Sequence, residues 1–173
     1  MAWFGATGVT TGWSTPAGVE YRPTSPVNRD AMAAFLYRFA GSPAFTPPAT
    51  SPFLDVRTDN MYYREITWLR AQGISTGWTV AGGVEFRPLE PVNRDAMAAF
   101  LHRFAGSPPP PSGGSPFTDV APGQLHGDAM RWLAAAGVSQ GWEVEPGRFE
   151  YRPLQPVNRD AMATFLERLT RIP

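Results

Sequence analysis

Three arginines occupy the same place in a motif that the chain repeats three times. Arg29, Arg94 and Arg159 each lie in the tetrapeptide Asn-Arg-Asp-Ala. An arginine guanidinium presents a planar fork of donors that matches a carboxylate. A helix N-terminus beside it adds backbone amides that favour an anion. The motif therefore predicts a site for an acidic group. The alternative is a structural ion pair with Asp30 or its equivalent in the same or another repeat.

Short polar residues surround each of these arginines. The preceding asparagine has the right side chain for a helix N-cap. The following aspartate places negative charge in the first turn, where the helix dipole favours it. These aspartates are also candidate ligand contacts; they are Asp30, Asp95 and Asp160.

Tryptophans follow a glycine at one position in each repeat. Trp13, Trp78 and Trp142 each offer either a flat apolar face for a sugar ring or a plug for a small core. Trp3, Trp68 and Trp132 lie on a predicted helix and are interpreted as core residues.

A second recurring arginine lies between an aromatic residue and a proline. Arg22, Arg87 and Arg152 either line a binding groove or pair with the glutamate two residues earlier. Asp55 and Asp119 precede a predicted helix by several residues. Capping of a turn is the expected role of these two, and a ligand contact is the alternative.

Composition excludes several classes of function. The formal net charge is zero, which argues against a broad electrostatic contact with nucleic acid. The chain has no cysteine and two histidines in unrelated repeat positions, so no metal site and no cofactor are predicted. Each carboxylate that recurs in all three repeats lies beside an arginine, which argues against a general acid with a raised pKa. The chain is therefore predicted not to be an enzyme. The sequence contains no apolar run of 18 residues, so no membrane span is predicted.

The repeat period divides the chain into three related parts. The motif that begins at Pro26 returns at Pro91 and Pro156, 65 residues apart each time. We assign residues 1–43, 53–106 and 117–173 to the repeats, and residues 44–52 and 107–116 to proline-rich linkers.

Hydrophobic spacing predicts two helices in each repeat. Met32, Phe35, Leu36 and Phe39 recur at helical spacing after the arginine motif, and Gly41 suits the helix end. Short segments before the motif could pair as very short strands. We expect a mainly α fold with little β structure, in which three pseudo-symmetric helix-loop-helix repeats surround a central three-helix bundle, joined by long Pro/Gly-rich loops.

The order of these motifs resembles the S-layer homology repeat. The resemblance rests on Phe-x-Asp-Val, a helix ending in Gly-Ile or Gly-Val, a loop ending in Phe/Tyr-Arg-Pro, and a capped helix with arginine near its start. It implies a three-pronged assembly with binding grooves between repeats. The family's hallmark at the second helix is Thr-Arg-Ala-Glu. Asn28-Arg29-Asp30-Ala31 keeps the arginine but moves the acid, so the ligand can differ from the family's usual polymer.

The resemblance implies a secreted module on the cell surface. Such a module anchors a protein non-covalently to an acidic, often pyruvylated, cell-wall polysaccharide. Two alternatives remain open at this point. One is a protein-interaction or self-assembly module of a surface protein, and the other is the wall-binding part of a cell-wall hydrolase.

The first repeat matches the others only from the end of its first helix. Met1 aligns with Ile66, so the counterpart of residues 53–65 is missing from repeat one. An upstream domain or a second chain is therefore expected to cover this repeat.

Overall fold

The architecture is seen in a computed structural model that describes residues 8–10 and 12–172. The described elements are five helices and six strands. The helices are α1 (Arg29–Phe39), α2 (Tyr63–Ala71), α3 (Arg94–Phe104), α4 (Gly127–Ala135) and α5 (Arg159–Leu169). The strands are β1 (Trp13–Thr15), β2 (Gly18–Glu20), β3 (Trp78–Val80), β4 (Gly83–Glu85), β5 (Trp142–Glu145) and β6 (Arg148–Glu150).

Two compact units divide the chain, and they do not coincide with the repeats. The first unit contains the described residues up to Pro91 together with Asn158–Asp160. The second contains Val92–Val157 and the described residues from Ala161 onward. The helix predicted at the start of repeat one, with Trp3, lies mostly in residues 1–7, outside the described residues.

The prediction of a mainly α fold with little β structure is wrong. The protein is a mixed α/β structure, in which 31% of the described residues are helical and 16% are in strands or isolated β-bridges. The strands form three antiparallel hairpins, β1–β2, β3–β4 and β5–β6, each a separate two-stranded sheet. Strands of three or four residues are too short to leave a clear alternating pattern in the sequence.

The helix pairs that pack within the units each join a first helix to a second helix, whereas the prediction placed the second helices against one another in a central bundle. Within the first unit α1 packs against α2, and within the second unit α3 packs against α4. The start of each second helix instead meets a loop that follows a hairpin. In the second unit, for example, the amides of Arg94 and Asp95 donate to the carbonyls of Gln155 and Pro153, both at 3.0 Å. Hairpins are therefore packed parts of this fold.

The second helices themselves were predicted correctly. Each begins at the arginine of the motif. The methionine three residues after this arginine and the leucine seven residues after it are fully buried in all three helices: Met32, Leu36, Met97, Leu101, Met162 and Leu166. The predicted helix ends are also confirmed. Gly41 has φ +82°, its amide donates to Arg38 O, and that of Ser42 donates to Tyr37 O, which is the Schellman pattern.

A cavity of about 380 Å³ lies in the second unit at the start of α4, lined in part by Gly127. Its origin follows from the repeat. Tyr63 and Gly127 both lie five residues before a buried tryptophan, Trp68 or Trp132. Tyr63 is buried, and its hydroxyl donates to the carbonyl of Pro48 at 2.9 Å. Glycine at the equivalent position leaves this space unfilled.

Gly127→Tyr is expected to raise the free energy of unfolding by about 1–2 kcal/mol, the usual gain from filling a cavity. A Cβ atom at Gly127 would meet nothing nearer than the Cβ of Gln124 at 4.0 Å, so there is room for a side chain. Denaturant midpoints of the variant and the wild type measure the gain. Gly127→Ala is the matched control, since it improves backbone entropy without filling the cavity. A tyrosine no better than alanine would contradict this explanation.

Candidate binding sites

Three equivalent clusters bring the recurring arginines and tryptophans together. In each cluster the arginine that begins a second helix and the arginine that follows a hairpin both lie over one indole ring. We name them site A (Arg29, Trp78, Arg87), site B (Arg94, Trp142, Arg152) and site C (Arg159, Trp13, Arg22). Each site joins the second helix of one repeat to the hairpin of a different repeat.

Backbone and hydroxyl acceptors hold the helix arginine in place. In site B, the Nε of Arg94 donates to the carbonyl of Tyr151 at 2.7 Å, and its Nη2 donates to the Oγ of Ser139 at 3.2 Å. Arg94 is only 5% exposed. The same two bonds recur in the other sites. In site A, Arg29 Nε donates to Phe86 O at 2.7 Å and its Nη2 donates to Ser75 Oγ at 3.4 Å. In site C, Arg159 Nε donates to Tyr21 O at 2.9 Å and its Nη2 donates to Thr10 Oγ1 at 2.7 Å.

Ionic partners do not explain the burial of Arg94. Among the described residues it forms no ion pair with a carboxylate, so the predicted pair with the following aspartate is absent at this site. Burial lowers the pKa of Arg94, and it lowers that of Arg29 to about 10. An arginine side chain keeps its proton at neutral pH in proteins, so each site contains a buried positive charge.

One donor atom of Arg94 remains accessible to solvent. Its Nη1 makes no hydrogen bond within the described part of the chain. No fully buried side-chain nitrogen or oxygen of the described residues lacks a partner, so Nη1 must retain contact with water. A bound carboxylate oxygen could replace that water.

The indole rings are partly open to solvent. In site B the Cζ of Arg94 lies 4.1 Å and that of Arg152 4.7 Å from the centroid of a Trp142 ring. The corresponding distances are 4.0 and 4.7 Å in site A and 4.2 and 4.8 Å in site C. Each tryptophan is 36–37% exposed. These rings are therefore not plugs of a buried core, whereas Trp68 and Trp132 are buried as predicted.

The arginine after each hairpin pairs with a glutamate, and in sites A and B its backbone amide also donates to an aspartate. The Nε of Arg152 forms an ion pair with Glu150 Oε2 at 3.1 Å, which is the pairing with the glutamate two residues earlier that the sequence offered as one of two roles. The backbone of Arg152 lies in the left-handed region at φ +58°. The carboxylate of Asp119 accepts the amides of Tyr151 and Arg152, both at 2.7 Å. The ion pair recurs as Arg22–Glu20 and Arg87–Glu85, and the carboxylate contact as Asp55 with Phe86 and Arg87.

The aspartates of the motif face their own helix start. Oδ1 of Asp30 and of Asp95 each accepts the amide of the next alanine at 2.6 Å. Burial raises the pKa of Asp30 against the opposing effect of its backbone hydrogen bonds. Asn28 and Asn93 stand at the N-cap position, but their side chains make no capping bond. Asp160 has the equivalent place at the start of α5, where its amide donates to Pro23 O at 3.1 Å.

Sequence reasoning missed the hydroxyl that receives each buried guanidinium. Thr10, Ser75 and Ser139 each follow a Gly-Val or Gly-Ile dipeptide. A hydroxyl residue at this position in all three repeats was the available signal.

The described residues contain no group of three or more histidine, cysteine or acidic side chains able to hold a metal ion. None of the helices in the described ranges is both long and apolar enough to span a bilayer. A scan against models of known protein families found no match. A search of curated proteins found no significantly similar sequence.

Proposed function

We propose that the chain is an S-layer-homology-like module that binds an acidic cell-wall polysaccharide. The observation that carries this proposal is a partly exposed indole with two arginine guanidiniums 4.0–4.8 Å from its ring, repeated three times. Such a site combines an apolar ring surface with two cations, which suits a sugar that bears a carboxylate.

Each part of site B has a role in this proposal. The exposed surface of Trp142 contacts the apolar face of a sugar ring. The Nη1 of Arg94 and the Nη atoms of Arg152, which make no hydrogen bond among the described residues, donate to the carboxylate. A pyruvyl ketal or a uronic acid carries such a carboxylate on a sugar ring. Asp95 contributes to the site indirectly, because its carboxylate accepts the amide of Ala96 in the first turn of the helix that begins at Arg94.

This function would place the protein outside the cell, attached to the wall, with the polysaccharide as its partner. It requires no catalytic residue and no cofactor.

The rival function is protein assembly, and one observation favours it. Leu89 and Leu154 occupy equivalent loop positions after their hairpins, and both are exposed.

Replacing Trp13, Trp78 and Trp142 together with alanine is expected to abolish co-sedimentation with pyruvylated wall polysaccharide. Loss of more than tenfold in affinity corresponds to at least about 1.4 kcal/mol. Mild acid treatment that removes the ketals should have the same effect on the wild type.

The matched control is the double variant Leu89→Ser and Leu154→Ser, which should bind the polysaccharide like the wild type. Sedimentation of the wild type and both variants without polysaccharide measures self-association and so distinguishes protein assembly from polysaccharide binding. If the leucine variant loses self-association and the tryptophan variant still binds the wall, the module acts in protein assembly.

A further inference from the structure

The residue before the motif proline is one of the positions at which the three sites differ, and its equivalent can be identified in each. The residue before the motif proline is Glu90 in site A, Gln155 in site B and Ser25 in site C. In every site the carbonyl of this residue accepts the amide of the buried arginine, at 3.0, 3.0 and 3.1 Å respectively. The backbone role is therefore constant, and only the side chain varies.

The side chain of Glu90 places a carboxylate beside the cations of site A. Its Oε1 lies 3.9 Å from the Nη1 of Arg87, on a half-exposed side chain. At site B the equivalent residue is Gln155, whose side-chain amide is neutral, and the ion pair of Arg152 within the described chain is the one with Glu150. An acidic ligand at site A would meet a negative charge where site B has none.

Among the described residues, the other charged groups whose contacts define the two sites match one for one. Sites A and B each have two arginines, one glutamate paired to the outer arginine, one aspartate that holds the hairpin exit, and one aspartate in the first helical turn. For site A these acids are Glu85, Asp55 and Asp30, and for site B they are Glu150, Asp119 and Asp95. Glu90 is thus one additional negative charge.

We infer that Glu90 is a specificity-determining residue that makes site A the weaker site for an acidic ligand. The inference rests on the proposed function, because it assumes that the ligand carries a carboxylate. Glu90 competes for Arg87 and repels the ligand carboxylate, whereas Gln155 leaves Arg152 available. Sites A and B are therefore unequal in affinity, with site B binding before site A.

The two sites can be read separately through the indole Nε1–H resonances of Trp78 and Trp142. Trp78→Phe and Trp142→Phe variants assign the two signals. The probe is the methyl glucoside that carries a 4,6-linked pyruvyl ketal. In the wild-type chain, the Trp142 signal is expected to titrate at a concentration about threefold to tenfold lower than the Trp78 signal, the effect of one nearby charge partly screened by water.

Reciprocal substitutions test the cause. Glu90→Gln should strengthen binding at Trp78 by the same factor and leave Trp142 unchanged. Gln155→Glu should weaken binding at Trp142 and leave Trp78 unchanged. Methyl glucoside without the ketal has no carboxylate, so its binding should not respond to either substitution.

The outcomes separate the inference from the function beneath it. If both indoles respond to the ketal with equal affinity, and neither substitution changes this, Glu90 does not set specificity, although the sites still bind acidic sugars. If no indole responds to the ketal in any variant, the proposed function fails and the inference fails with it.

Discussion

Arg94→Ala is expected to lower the free energy of unfolding by about 3 kcal/mol, because it strips two buried acceptors of their donor. The carbonyl of Tyr151 and the hydroxyl of Ser139 both receive hydrogen bonds from this guanidinium. Ser139 is buried, so water cannot readily replace the lost partner. The variant also loses the packing of the guanidinium over Trp142. Urea denaturation followed by tryptophan fluorescence measures the change.

Two further variants give this result its meaning. Arg94→Lys should recover little stability, because a single ammonium cannot match the fork that reaches both acceptors. Arg148→Ala removes an exposed arginine that pairs with Glu145 and should cost less than about 1 kcal/mol. If Arg94→Ala costs no more than Arg148→Ala, the guanidinium does not stabilise the link between α3 and the β5–β6 hairpin.

Tyr151→Ala is expected to cost about 3–5 kcal/mol, the range for deleting a large aromatic side chain from a core. Tyr151 is fully buried, and its ring lies 5.0 Å from that of Phe117 and 4.8 Å from the Arg94 guanidinium. Its hydroxyl donates to the carbonyl of Arg94 at 3.2 Å. Burial raises the pKa of this hydroxyl, so the neutral form donates throughout the ordinary pH range. Thermal and chemical unfolding both report the loss.

The chain contains its own control for this substitution. Phe86 holds the equivalent position in site A and is also fully buried. Tyr151→Phe should therefore cost only about 1 kcal/mol, for the hydrogen bond of the hydroxyl. A loss in Tyr151→Phe as large as in Tyr151→Ala would show that the hydroxyl, and not the ring, accounts for the stability.

Helix positions were largely predictable from the sequence. The motif arginines begin α1, α3 and α5, and Ile74 after Gly73 folds back to donate its amide to Leu69 O, as the Schellman pattern requires. These features depend on residues within a few positions of each other. Local spacing and local chain conformation therefore suffice to predict them.

Capping of the second helices shows where local reasoning stops. Asn28 was predicted to cap α1, and it occupies the N-cap position with an extended backbone. The first amides of α1 are instead satisfied by the carbonyls of Glu90 and Pro88, which lie far along the chain. An asparagine side chain and a distant carbonyl satisfy the same donor equally well. The sequence alone cannot distinguish between them.

The amount of β structure was underestimated for a related reason. Each hairpin is short and isolated, and two-stranded sheets of this size are marginal without support from other elements. The support comes from tertiary contacts. The aspartate carboxylate of Asp119, for instance, holds the amides at the exit of the β5–β6 hairpin.

The sequence by itself determined the repeat, the second helices, and the residue types that recur in the three sites. Only the tertiary structure decided how those residues combine. Arg94 of the second repeat reaches Tyr151 of the third, and Arg159 of the third reaches Tyr21 of the first. A buried guanidinium must find acceptors for its donors, and a compact chain supplies them from whichever segment lies nearest in space. Distance along the sequence carries no information about that choice.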